Sequence, residues 1–206
     1  MDRSGSTGSY NNEDAILLAA MINQSYHLFE TESLVLSKGF SLRYTIQALA
    51  GVEEPEPEPE VFGFIAESTD KIIVVFRGTR TFKDNESDQD LYQVPYPFVK
   101  NAGKTHRGFT CIYQSTRNDL IKAVSKLPKS KRLFVAGHSL GGGLAVLAGF
   151  DFAVNTKFKK PFVYTYGSPR VVDPVFASDP DYTKALSEEN PGFCPDTALC
   201  VPVKIM

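Results

Sequence analysis

The chain has 206 residues, with 22 Lys and Arg against 24 Asp and Glu and a formal net charge of −2. That length suits one domain with a sizeable core, and the even charge balance excludes a long-range basic field for nucleic acid or anionic lipid. No apolar run approaches the ~18–20 residues that span a bilayer, so no integral membrane segment is expected.

Residues 1–11 are polar and rich in Ser and Gly, and read as a flexible leader. They lack the apolar core of a secretory signal, which points to the cytoplasm for the chain as written and leaves secretion of a longer precursor open. Residues 12–29 are predicted to form a helix, with Asn12 as its cap, Glu13 and Asp14 in the first turn, and an apolar face at Ile16, Ala19, Ala20 and Tyr26. Residues 42–50 alternate like a strand. The run VEEPEPEPE at 52–60 reads as an extended, solvated loop, because alternating proline supports neither helix nor ladder.

Residues 61–66 and 71–76 are predicted strands, and the second is an apolar run such as a sheet covered on both faces requires. A helix is expected over 107–126, a strand over 132–136, a helix over 141–153 and a strand over 161–166. This alternation predicts an α/β fold, a mostly parallel sheet with helices on both faces, and the first strands at an antiparallel edge. Beyond Ala177 the pattern fails, so 12–177 is taken as one domain and 178–206 as a divergent or truncated tail.

The segment LFVAGHSLGGGLAVLAG, residues 133–149, reads as strand, tight turn and helix around Gly137-His138-Ser139-Leu140-Gly141. Glycine is needed two places before and two after the serine, where side chains would clash in so sharp a turn. The turn lifts the Ser139 hydroxyl above the carboxyl edge of the sheet. The helix N-terminus beside it supplies free amides, so Leu140 N–H is one candidate for stabilising an oxyanion. His138 points away from Ser139 along such a turn and is read as a packing or hydrogen-bonding residue.

A second donor is sought at a neighbouring strand end, where Arg77-Gly78-Thr79 follows the apolar run 71–76. Thr79 offers its amide and its hydroxyl. A plain turn with a surface arginine accounts for the same residues equally well.

FRGT, THRGF, GHSLGG and YGSPRV occur in that order, at spacings that resemble the fungal-type, class 3 lipases. The likeness runs from about residue 12 to 177. It implies an α/β-hydrolase fold and serine hydrolysis of carboxylic esters, acylglycerol or soluble, as in lipid metabolism. It implies Ser139 as nucleophile, Thr79 and Leu140 at the oxyanion hole, and a mainly architectural His106. It also implies a lid near 80–90 and an acid after one further strand. Asp196 falls at about that distance, while Asp173 matches a loop position and not the acid.

The chain departs from the pattern at its base. Its histidines are His27, His106 and His138, and none follows Ser139, although the chain order in this fold is Ser, acid, His. The expectation is therefore twofold: a lipase-like ester hydrolase, or a catalytically incomplete, non-catalytic relative. The lid region holds Phe82 among Asp84, Glu86, Asp88 and Asp90, which favours soluble or short-chain esters. Leu91, Tyr92, Tyr96 and Phe98 are candidates to line an acyl groove. Gly103-Lys104-Thr105 lacks the glycine and strand of a phosphate loop, and Cys194 and Cys200 lack zinc spacing. No metal or organic cofactor is expected, the partner is a small-molecule ester or lipid, and the oligomeric state is not set by the sequence.

Overall fold

The computed structural model describes residues 11–49, 58–79 and 92–177. Helix α1 (Asn12–Thr31) starts at Asn11, whose side chain accepts from the Glu13 and Asp14 amides at 2.8 and 3.0 Å. The cap therefore sits one residue before the expected Asn12. Its buried stripe includes Leu18, Met21, Ile22, Ser25 and Leu28, whereas Ile16 is 72% exposed and Ala19 and Ala20 face outward. This corrects the face read from the sequence. The segment AILLAAMI is apolar almost all round, so its period leaves the inner face undecided, and the face with the larger summed apolar area, Leu18, Met21, Ile22 and Leu28, takes the sheet although Ile16 stays outside.

Strands β1 (Ser41–Leu49), β2 (Pro59–Glu67) and β3 (Lys71–Phe76) follow, then the short pair β4 (Gln93–Pro95) and β5 (Lys104–His106). Helix α2 (Arg107–Lys126), strand β6 (Arg132–His138), helix α3 (Leu140–Asn155), strand β7 (Phe162–Tyr166) and a single turn α4 (Pro174–Ala177) complete the described chain. Strand β2 takes in Pro59 and Glu60, two residues that the sequence assigns to the loop; as the first residue of a strand, Pro59 fits where a missing N–H is tolerated. The rest of that proline-glutamate run, and the tail 178–206, lie outside the described residues.

The main sheet has the order β1-β2-β3-β6-β7. The pairs β1/β2 and β2/β3 are antiparallel, and β3/β6 and β6/β7 are parallel. Strand β3 is buried on both faces, as its unbroken apolar run demands. Ile73 and Val75 meet α1, while Ile72, Val74 and Phe76 pack in the cluster that holds α2 and α3. Parallel β3 and β6 therefore end side by side, with Phe76 opposite Gly137. The chain breaks from the ladder just beyond both.

Deep in α3, the fully buried Asp151 carboxylate accepts from Tyr113 Oη at 2.6 Å, Arg117 Nε and Nη2 at 2.7 and 2.9 Å, and Asn155 Nδ2 at 2.6 Å. Burial, then the nearby Tyr96 and Asp151, push the Tyr113 phenol well above its ordinary range, so it stays protonated and donates. Tyr96, expected at an acyl groove, is only 4% exposed and donates to Leu147 O at 2.9 Å. It belongs to the core beside Phe150 and Phe176. Phe98 packs edge-on against Tyr96 and Tyr113 and lies under the Arg117 guanidinium. Tyr92 is exposed and Leu91 is outside the described residues.

Candidate active site

Between β6 and α3 the chain turns within Gly137–Gly141. Ser139 takes φ 52° and ψ −124°, a region that residues with a side chain rarely adopt and that costs about 1–3 kcal/mol. The turn is held by Ser139 N–H donating to Tyr166 O at 2.9 Å and Gly142 N–H donating to Ser139 O at 2.8 Å. Its glycines are sterically required. A Cβ on Gly137 would meet Gly141 O at 1.9 Å, and one on Gly141 would meet Phe76 O and Arg77 O at 2.4 Å. Strain at Ser139 is thus imposed by two flanking close approaches. The Ser139 side chain makes no cap bond to the helix it precedes, so its hydroxyl is not spent on α3.

The end of β3 lies against this turn. A Cβ on Gly78 would stand 3.1 Å from Ser139 Cβ, 2.8 Å from His138 O and 2.4 Å from the Tyr26 hydroxyl oxygen. Arg77 is not the surface residue that a plain turn would carry. It is 2% exposed, donating from Nε to Val61 O at 2.6 Å, from Nη1 to Gly78 O at 2.9 Å and from Nη2 to Glu60 Oε2 at 2.7 Å. Phe29 and Phe62 cover its guanidinium at 3.8 and 4.6 Å. The strand end is therefore anchored from below by a buried cation.

From α1, the Tyr26 hydroxyl accepts the Gly78 N–H at 2.8 Å and lies 2.7 Å from His138 Nδ1. A cavity of ≈ 590 Å³ opens beside this junction, lined among others by Tyr26, His27, Glu30, Thr79 and His138.

Ser139, Leu140 and the Gly78-Thr79 segment lie at one junction. Asp196 and the lid region 80–90 lie outside the described residues. His138 turns its Nδ1 to Tyr26, His27 Nε2 lies 3.3 Å from Thr31 Oγ1, and His106 stacks edge-on with Phe109 at the start of α2. Among the described residues, no histidine is hydrogen-bonded to the Ser139 hydroxyl. Asp173 Oδ1 accepts the Phe176 amide at 2.7 Å, which caps α4 and agrees with a loop role. The sequence reading missed Arg77 as a buried anchor and Tyr26 as a polar contact. A cation directly after a fully apolar strand was the available hint of the first.

The profile of the family described as "Lipase (class 3)" matches residues 73–188. Over 118 residues the chain is 36% identical to a lipase of Rhizomucor miehei, covering 54% of this chain and 32% of that protein. It is 30% identical over 125 residues to a secreted mono- and diacylglycerol lipase of Malassezia globosa, covering 54% of this chain and 40% of the other. The chain thus spans about a third of the length of the curated relatives it matches. Among solved structures, a deletion mutant of the R. miehei lipase in its propeptide complex superimposes with a TM-score of 0.63 at 25% identity, over 87% of this chain and 57% of that one. Lipase II from Rhizopus niveus gives 0.62 at 25% identity, over 80% and 65%.

Proposed function

Because the chain belongs to the class 3 lipase family, we propose that it hydrolyses carboxylic esters, acylglycerol or soluble, with Ser139 as nucleophile. The Ser139 oxygen attacks the ester carbonyl and its proton passes to a base. The alcohol leaves with a proton, and water then splits the acyl-serine to free acid and serine. Negative charge on the carbonyl oxygen in each tetrahedral state is met by the Leu140 and Thr79 amides. Asp196 is the candidate for the acid that orients the base. The observation that carries this reading is the strained Ser139 between two obligatory glycines, with the end of β3 pressed against it.

A second reading has its own support: among the described residues, His27 and His138 direct their ring nitrogens to Thr31 and Tyr26, and neither meets the Ser139 hydroxyl. In it the chain binds esters without turning them over. A fluorophosphonate probe decides between them. Covalent labelling of the chain that is lost in Ser139→Ala supports hydrolysis; an unlabelled chain that still binds a non-hydrolysable ester analogue supports the second reading.

The M. globosa relative is named as secreted, as is a mono- and diacylglycerol lipase of Gibberella zeae. Those names point away from the cytoplasmic expectation. Among the described residues, no helix is long and apolar enough to cross a membrane.

A further inference from the structure

We propose that Tyr26 is a positioning residue for the oxyanion site, its hydroxyl pinning the Gly78 amide against the serine turn and so aiming the Thr79 N–H. The inference rests on the ester-hydrolase reading above. One phenol ties α1 to the end of β3 and to the turn after β6, accepting from Gly78 N–H at 2.8 Å and meeting His138 Nδ1 at 2.7 Å. The phenol oxygen accepts from Gly78 N–H and shares a second hydrogen bond with Nδ1, whose direction follows the imidazole tautomer.

Gly78 makes such a pin necessary. No larger residue fits between the Tyr26 oxygen and His138 O, yet glycine is the residue whose backbone turns most freely. The peptide unit after Gly78 holds Gly78 O and Thr79 N–H in one plane, and Arg77 Nη1 fixes its carbonyl end at 2.9 Å. The unit before it ends in the Gly78 N–H that Tyr26 holds. With both units fixed, the Thr79 amide keeps its direction before any substrate arrives, and such preorganisation is what makes a donor effective in the transition state.

Tyr26 also differs from the residues of α1 that merely pack. Leu18, Met21 and Ile22 are buried against the sheet. Tyr26 is half-buried and lines the cavity shared by Thr79 and His138.

The test is saturation kinetics of fluorophosphonate labelling on the full chain. Tyr26→Phe should lower the limiting labelling rate about tenfold while leaving the half-saturating probe concentration within about twofold, the pattern of a lost transition-state contact. A merely structural role would instead appear in the melting temperature with no such split. His138→Leu, which removes the second partner of the phenol, should slow labelling in the same way. His138→Asn keeps a hydrogen-bonding group near the position of Nδ1 and should recover most of that loss. Labelling of Tyr26→Phe at the wild-type limiting rate overturns the proposal. Should Tyr26→Phe not fold, equal rates for the two His138 variants overturn it. A wild-type chain that takes no label defeats the ester-hydrolase reading itself, and this inference with it, which separates the two failures.

Discussion

At the start of α3, Ser139 is held at φ 52° and its hydroxyl caps nothing; further along the same helix, Asp151 is fully buried with both carboxylate oxygens satisfied by Tyr113, Arg117 and Asn155. One terminus keeps backbone strain and an uncommitted hydroxyl at the carboxyl edge of the sheet. Near the other end, both Asp151 oxygens are used to lock α2 onto α3. The same helix thus serves reactivity at one end and cohesion at the other, and the polar groups at each end differ in whether they already have partners.

The largest test of that contrast is Asp151→Ala. Removing the carboxylate leaves Arg117, Tyr113 and Asn155 without their shared acceptor and should lower stability by about 3 kcal/mol, read by urea denaturation. Labelling of Ser139 in the molecules that remain folded should change by less than about twofold. A parallel loss of labelling would mean that the two ends of α3 are coupled, and the contrast would fall.

Ser139→Gly probes the opposite end with the opposite sign. Glycine accepts the positive φ without strain, and the serine side chain makes no cap bond, so stability should rise by about 1 kcal/mol while labelling disappears. An unchanged or lower melting temperature would show that the turn holds little strain.

The smallest effect is at Glu67, a second buried carboxylate with committed partners. The hydrogen bond from Lys131 is the main cause that holds its pKa below the usual 4.5, burial opposes it, and Arg43 adds to the lowering. A lowered folded pKa gives stability that is present above 4.5 and lost as pH falls through the folded value. The stability gap between wild type and Glu67→Gln, about 1 kcal/mol at neutral pH, should therefore close on acidification below that point. A gap that stays constant with pH would remove Glu67 from the group of satisfied charges.

Much of this architecture was readable before any coordinates. The run Ile72–Phe76 and the segment LFVAG announce strands buried on both faces, because nothing polar interrupts them, and α2 falls on the residues 107–126 expected to be helical. The turn at Ser139 was legible because only glycine survives at 137 and 141, a constraint written in residue identity. What failed was orientation. Residues 15–22 are too uniformly apolar to choose a face, so Ile16 was turned inward and Tyr26 was read as one more apolar contact. Tyr96 was assigned to a groove because an aromatic residue looks the same at a surface and in a core until its hydroxyl finds Leu147 O. Arg77 was left between two readings, since the Glu60 that pairs with it comes from a different strand.

The contact from Tyr26 to His138 joins residues 112 positions apart, and the one to Gly78 spans 52. Closing such long loops carries an entropy cost that local helix formation does not. The contacts of Tyr26 can form only once β3 and then β6 have been synthesised. The junction at Ser139 thus depends on long-range closure, and no local helix signal can assemble it alone.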